Sequence, residues 1–324
     1  MSLECGTIFT REQDLREGLF GGVFLFMLEV LPLLHERGIR PHWRIDTACY
    51  GNVVPDVLEP VDPDEAVLPE IPLTSLRDLD RRAMGGDFEG ISRLWSSYFR
   101  PAPAVLEEAD RVDPGLDRAL GIHYRGRDKL KASWDTNPID REDFVSIVVD
   151  RIAADPVFDR CLIAGDDQVF IDLARRRIDL PVTVLDAGEG HKSPRSAVRS
   201  GARGLMAFRD AILLSRCRSI LQTSSALPSF ARVLRPEVDC RRCAASKWFG
   251  EIPYFPVAYI PPHQPEDPRL RSVVEKAMQD DWSVAAGVES SVWDSAHLPR
   301  SAIARPVARR HGWRRFLTRG PRSS

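Results

Sequence analysis

Lysine is scarce in this chain, with five residues against forty arginines. A GC-rich bacterial genome produces that bias, which says little about mechanism. Cysteine is sparse as well. Its six positions, 5, 49, 161, 217, 240 and 243, are scattered over 324 residues, which excludes a disulfide framework and points to a reducing compartment. Cys240 and Cys243 have the spacing of half a zinc site, but no second Cys or His pair follows at a suitable distance, so no metal is expected. Long hydrophobic runs are missing too: the most apolar window, residues 18–34, is short for a membrane span, holds Glu29 and Pro32, and reads as a buried helix. The opening "MSLECGTIFTREQDLREG" carries acids and no apolar core, unlike a signal peptide. There is no GxGxxG behind a strand and no GxxxxGK[ST], so dinucleotide and P-loop readings lose their main support.

What is present is the composition of a folded protein, with 43% hydrophobic and 28% charged residues and no low-complexity tract. A length of this order favours two domains. The net charge of −2 hides an asymmetry: eight arginines and no acid lie between residues 300 and 324, behind an acidic body. Such a tail is a solvated end or a patch for an anionic surface. Trp313 and Phe316, three apart, fit a short amphipathic turn on a membrane. The expectation is a cytoplasmic protein with no nucleic-acid partner, its tail either solvated or in peripheral contact with a membrane.

The order of elements follows from alternation. "PHWRID" (41–46) reads as a strand, 53–90 as loop with short helices, 88–100 and 102–112 as helices, and "DPGLD" as a turn that divides the chain near Pro114. Beyond it, strands "RALGIHY", "RCLIAGDD", "PVTVLDA", "SILQTSS" and "PVAYIP" alternate with single helices. Crossover connections of this kind require a mostly parallel sheet, hence a Rossmann-like domain. The divisions read from the sequence are 1–113, an acceptor-side Rossmann-like domain; 114–264, a nucleotide-sugar domain; 265–299, a helical segment; and 300–324, the basic tail.

Chemistry gathers behind the strands, where open α/β sheets bind ligands. "HYRGRDK" supplies His123, Arg125, Arg127, Asp128 and Lys129, and "TSS" supplies Thr223, Ser224 and Ser225 just before a helix. Arginine forks and a helix N-terminus together suit a diphosphate. Each stretch also has a plainer reading: a surface turn with local ion pairs for the first, an ordinary N-cap for the second. Asp166 and Asp167 in "GDD" read as a polar turn, or with further ligands as a Mg²⁺ site.

The order and content of three segments, "HYRGRDK", "CLIAGDDQ" and "DAILLSRCRSILQTSS", resemble the α-1,6-fucosyltransferase and protein O-fucosyltransferase superfamily, which includes the nodulation fucosyltransferases. The resemblance covers about Gly121 to Leu234. It implies a GT-B architecture, two Rossmann-like domains facing across a cleft, and metal-free inverting transfer from GDP-fucose to a glycan or lipid-linked acceptor. By matching position, it implies that Arg125 neutralises the departing diphosphate and that His123 and Asp128 shape its loop. It further implies that Asp166 or Asp167 meets guanine or ribose, that Ser224 and Ser225 donate to phosphate, and that Asp210 braces the site. Gly126 stands where the family commonly has a second arginine; Arg127 is the nearest replacement. Ser133 stands where the α-1,6 enzymes carry a glutamate base, which leaves Asp135 and Glu142 as candidate bases. Two other classes stay open: a non-catalytic nucleotide- or glycan-binding protein, and a Mg²⁺-dependent α/β phosphate-ester enzyme.

Overall fold

The computed structural model describes residues 5–10, 19–27, 31–36, 38, 40–47, 50–61, 88–126, 138–185 and 203–243. The first half is built from short elements: β1 (Cys5–Thr10), α1 (Leu19–Leu25), α2 (Leu31–Glu36), β2 (Arg40–Thr47), β3 (Gly51–Asn52), α3 (Val53–Asp56), β4 (Leu58–Pro60), α4 (Phe88–Ser96), β5 (Phe99–Pro101) and α5 (Pro103–Val112). β1 and β2 pair in parallel, with β3 antiparallel on the far side of β2, and β4 and β5 form a separate antiparallel ribbon. The apolar window read as one helix carries two, and Pro32 sits in the first turn of the second. A proline fits there because its missing N–H has no helical partner to lose. The helix read over 88–100 ends at Ser96, and Phe99–Pro101 pairs as a strand instead. Pro101 holds the residue before it in extended backbone, which favours that switch.

The second half follows the predicted alternation: β6 (Ala119–Tyr124), α6 (Arg141–Ala154), β7 (Arg160–Gly165), α7 (Gln168–Arg177), β8 (Val182–Val184), α8 (Arg203–Arg216), β9 (Ser219–Gln222), α9 (Ala226–Leu234) and β10 (Asp239–Arg242). All four strand pairings are parallel, in the order β10-β9-β6-β7-β8. The chain therefore winds outward from β6 through β7 to β8, then returns to the other side of β6 for β9 and β10. That reversal is the Rossmann topology, and it opens a crevice between the carboxyl ends of β6 and β9. The strand read at "PVAYIP" lies outside the described residues; β10 is the fifth strand here.

Every residue of β6 is buried, as a central strand covered on both faces requires. Leu120, Ile122 and Tyr124 face α6 and α7, where Tyr124 stacks on Phe170 at 4.3 Å between ring centroids and meets Phe144. On the opposite face α8 comes so close that a Cβ on Gly121 would meet Leu214 and Cys217 at 3.1 and 3.2 Å. The apolar cluster on that face continues without a break into the first half of the chain. Trp43 stacks on Phe26, Trp95 stands edge-on to Phe230 of α9 at 5.6 Å, and Phe20 lies 5.0 Å from Phe208 of α8. Residues on both sides of the division read at 113/114 thus share this cluster. Among the described residues, no helix is long and apolar enough to cross a membrane.

Candidate functional site

β6 and β9 remain joined one step past their ends. The Thr223 N–H donates to the His123 carbonyl at 3.0 Å, and the Arg125 N–H donates to the Thr223 hydroxyl at 2.8 Å. The backbone of Arg125 and the predicted hydroxyl run are therefore brought together at the crevice, with Ser224 and Ser225 directly after Thr223. Both serines are buried. Ser225 caps α9 by position, yet its side chain makes no capping hydrogen bond, so the first N–H groups of α9 keep their capacity for an anion.

The two aspartates after β7 serve as holders. Asp166 accepts from the Gly126 N–H at 2.8 Å, and its other oxygen lies 3.5 Å from Arg125 Nε. Its side chain is 2% exposed against 36% for Arg125, so the acid is enclosed and the guanidinium half open. Asp167 caps α7 through the Phe170 N–H at 3.0 Å, and both Nε and Nη2 of Arg141 donate to its second oxygen, at 3.0 and 2.6 Å. Burial alone would raise the Asp167 carboxyl; the hydrogen bonds from Arg141 and the α7 backbone outweigh it and hold the group below its ordinary value. Each carboxylate already carries a guanidinium or backbone N–H, an arrangement suited to presenting cations rather than to collecting one. No group of three or more His, Cys, Asp or Glu among the described residues is placed to hold a metal ion. Asp166 and Asp167, for which the resemblance implied a contact with guanine or ribose, thus lie against Arg125 and Arg141.

Tyr124 completes the frame. Its hydroxyl donates to the Ile139 carbonyl at 3.0 Å, and burial pushes its pKa up to about 12, so the phenol stays a donor. The described residues run to Gly126 and resume at Pro138. Arg127, Asp128, Lys129 and Asp135 fall between those points, outside the described residues. His123 is buried on the α8 face of β6, in register with Gln222 of β9, which is in register with Arg242 of β10. Asp210 is 1% exposed on α8 and accepts both Nε and Nη2 of Arg209, at 2.9 and 2.7 Å. Glu142 is not brought into the cluster: its side chain is 62% exposed and pairs with Arg177, the last residue of α7, at 3.2 Å.

Arg141 went unnoticed in the sequence. Its signal was an arginine at the first position of a helix already capped by Asp140, a place where the helix dipole disfavours a cation. The Cys240 and Cys243 pair is resolved as well. Three residues apart on extended chain they face opposite sides, Cys240 against the α8–α9 core and Cys243 in the α6–α7 core, and burial pushes both thiols up to about 12.

No family model matches the chain, and no curated protein matches it in sequence. Among solved structures it is similar to a NodZ α-1,6-fucosyltransferase soaked with GDP-fucose, 15% identical with 76% of this chain and 97% of that one covered, at a TM-score of 0.45. Fucosyltransferase NodZ from Bradyrhizobium is similar at 16% identity, with 76% and 96% covered and a TM-score of 0.43. POFUT1 in complex with GDP gives 9% identity and a TM-score of 0.34, and the match spans 49% of that chain and 47% of this one. These proteins belong to the superfamily that the three sequence motifs resemble.

Proposed function

We propose that this chain is an inverting, fucosyltransferase-like glycosyltransferase that takes a sugar from a nucleotide diphosphate donor, GDP-fucose by preference, and passes it to a glycan or lipid-linked acceptor. One observation carries the reading: at the topological switch point of a Rossmann-ordered sheet, Arg125, whose side chain is half open, donates its backbone N–H to the hydroxyl that opens a Thr-Ser-Ser run at a helix N-terminus. Cation, hydroxyls and backbone N–H groups converging there suit a diphosphate, and such charge stabilisation usually contributes most to transfer of this kind. An acceptor hydroxyl would attack the anomeric carbon on the face opposite the diphosphate. The new C–O bond forms as the bond to the β-phosphate oxygen breaks, that oxygen keeps the electron pair beside Arg125, and the acceptor proton passes to a carboxylate. Asp135 is our candidate for that base; Glu142, engaged by Arg177, is the weaker one.

In this reading no metal takes part, the protein works in the cytoplasm, the basic tail touches an anionic membrane, and the GT-B cleft lies between the two halves. The Glu142–Arg177 pair also favours a second reading, in which the chain binds a nucleotide sugar without transferring it. A thermal-shift series over GDP, UDP, CDP and dTDP sugars separates these. GDP-fucose at 100 times its Kd stabilises by about 2.7 kcal/mol. Acceptor-dependent release of GDP, unchanged by EDTA, supports the enzyme. Binding without release supports the second reading, and stabilisation by none of the sugars contradicts both.

A further inference from the structure

Arg141 poses a problem that its helix does not answer. It occupies the first position of α6, where the helix dipole repels a cation, and Asp140 already meets the capping requirement through the Glu142 N–H at 2.8 Å. Asp167 supplies the answer. Nε and Nη2 of Arg141 both donate to a single Asp167 oxygen, and among the described residues Nη1 has no hydrogen-bond partner. Only one edge of the fork is therefore spent on orientation.

The seat of Asp167 depends in turn on Gly126. A Cβ at that position would fall 2.3 Å from Oδ2, 2.5 Å from Cβ and 2.8 Å from Cγ of Asp167. A side chain there and the carboxylate cannot share the space. Gly126 meanwhile donates its N–H to Asp166, whose other oxygen steadies Arg125. Adjacent acids of one dipeptide thus hold one guanidinium each, and the same glycine touches both acids. The acids are 2% and 7% exposed, the arginine side chains 36% and 33%. Buried anions behind half-open cations present positive charge to whatever enters.

We infer that Arg141 is a second ligand-facing cation of the site, working with Arg125 on the two phosphates of one diphosphate. The inference rests on the proposed diphosphate reading and extends it to specificity: two forks carried by different elements favour a diphosphate over a monophosphate. Calorimetric titration of the full chain with GDP, GMP and inorganic pyrophosphate tests it, on the wild type, Arg141→Gln and Arg141→Lys. Arg141→Gln is expected to weaken GDP and pyrophosphate by about tenfold to hundredfold, the range of one lost charged hydrogen bond, and GMP by much less. Arg141→Lys keeps the charge beside Asp167, and with it the fold, and recovers part of the loss. Unchanged GDP affinity in both variants overturns the inference while the diphosphate reading stands, as does an equal loss for GMP. A wild type that binds neither GDP nor pyrophosphate overturns both.

Discussion

The two ends of the parallel sheet carry the same kinds of charged residue and use them differently. At the amino end, Arg118, Arg160 and Asp159 form a ladder with every side chain at least 36% exposed, and Arg151 lies 3.2 Å from Asp155 and 3.5 Å from Asp239. A polar depression of about 340 Å³ there is lined by both signs, Asp117, Arg218 and Glu237 among them. Exposed pairs of this kind contribute little to stability, since water screens them. At the carboxyl end the acids are enclosed, the arginines half open, and backbone N–H groups from Arg125 and Gly126 join the network. Charge alone therefore does not mark the site. The deeper burial of Asp166 and Asp167, at 2% and 7% exposed, sets the carboxyl end apart.

Substitutions should separate the ends by size of effect. Gly126→Ala forces Asp167 out of its seat and is expected to cost about 1–3 kcal/mol of stability, the usual range for overpacking, together with most nucleotide affinity. Chemical denaturation with and without GDP measures both. Asp167→Asn comes next, at about 1 kcal/mol near neutral pH, because one charged hydrogen-bond partner of a partly exposed arginine is lost. Its pH dependence has a definite sign. The folded-state carboxyl titrates below its unfolded value, so its contribution is fully present above about pH 4 and is lost as the pH falls through the folded value. Thermal midpoints of the variant and the wild type should therefore converge in acid; a gap that widens below pH 4 contradicts the assigned role. The smallest effect belongs to the amino end. Arg160→Ala removes contacts to Asp113 and Asp159 and should leave both the thermal midpoint and GDP binding unchanged.

The alternation of strand and helix was legible because the strands β6 to β9 carry short apolar runs set between helices with apolar faces, as in "CLIAG" before "QVFIDLARRR". β10 escaped notice because "DCRR" is four residues with no apolar alternation; its place in the sheet comes from pairing with β9. Strand order lay beyond the sequence, since the return from β8 to β9 depends on which edge is free. Arg125 and the Thr-Ser-Ser run were visible as chemistry behind strands. Their meeting was not, because it is made by backbone N–H groups, and Arg141 passed for one more charged residue in the first turn of α6.

Arg125 is proposed to grip a diphosphate where β6 and β9 part. Titration of GDP into the wild type and into Arg125→Ala, with circular dichroism to confirm that the variant is folded, addresses it directly. Measurable wild-type binding is expected, with a loss of at least about tenfold in a variant that remains folded. Equal affinity in the two proteins contradicts it.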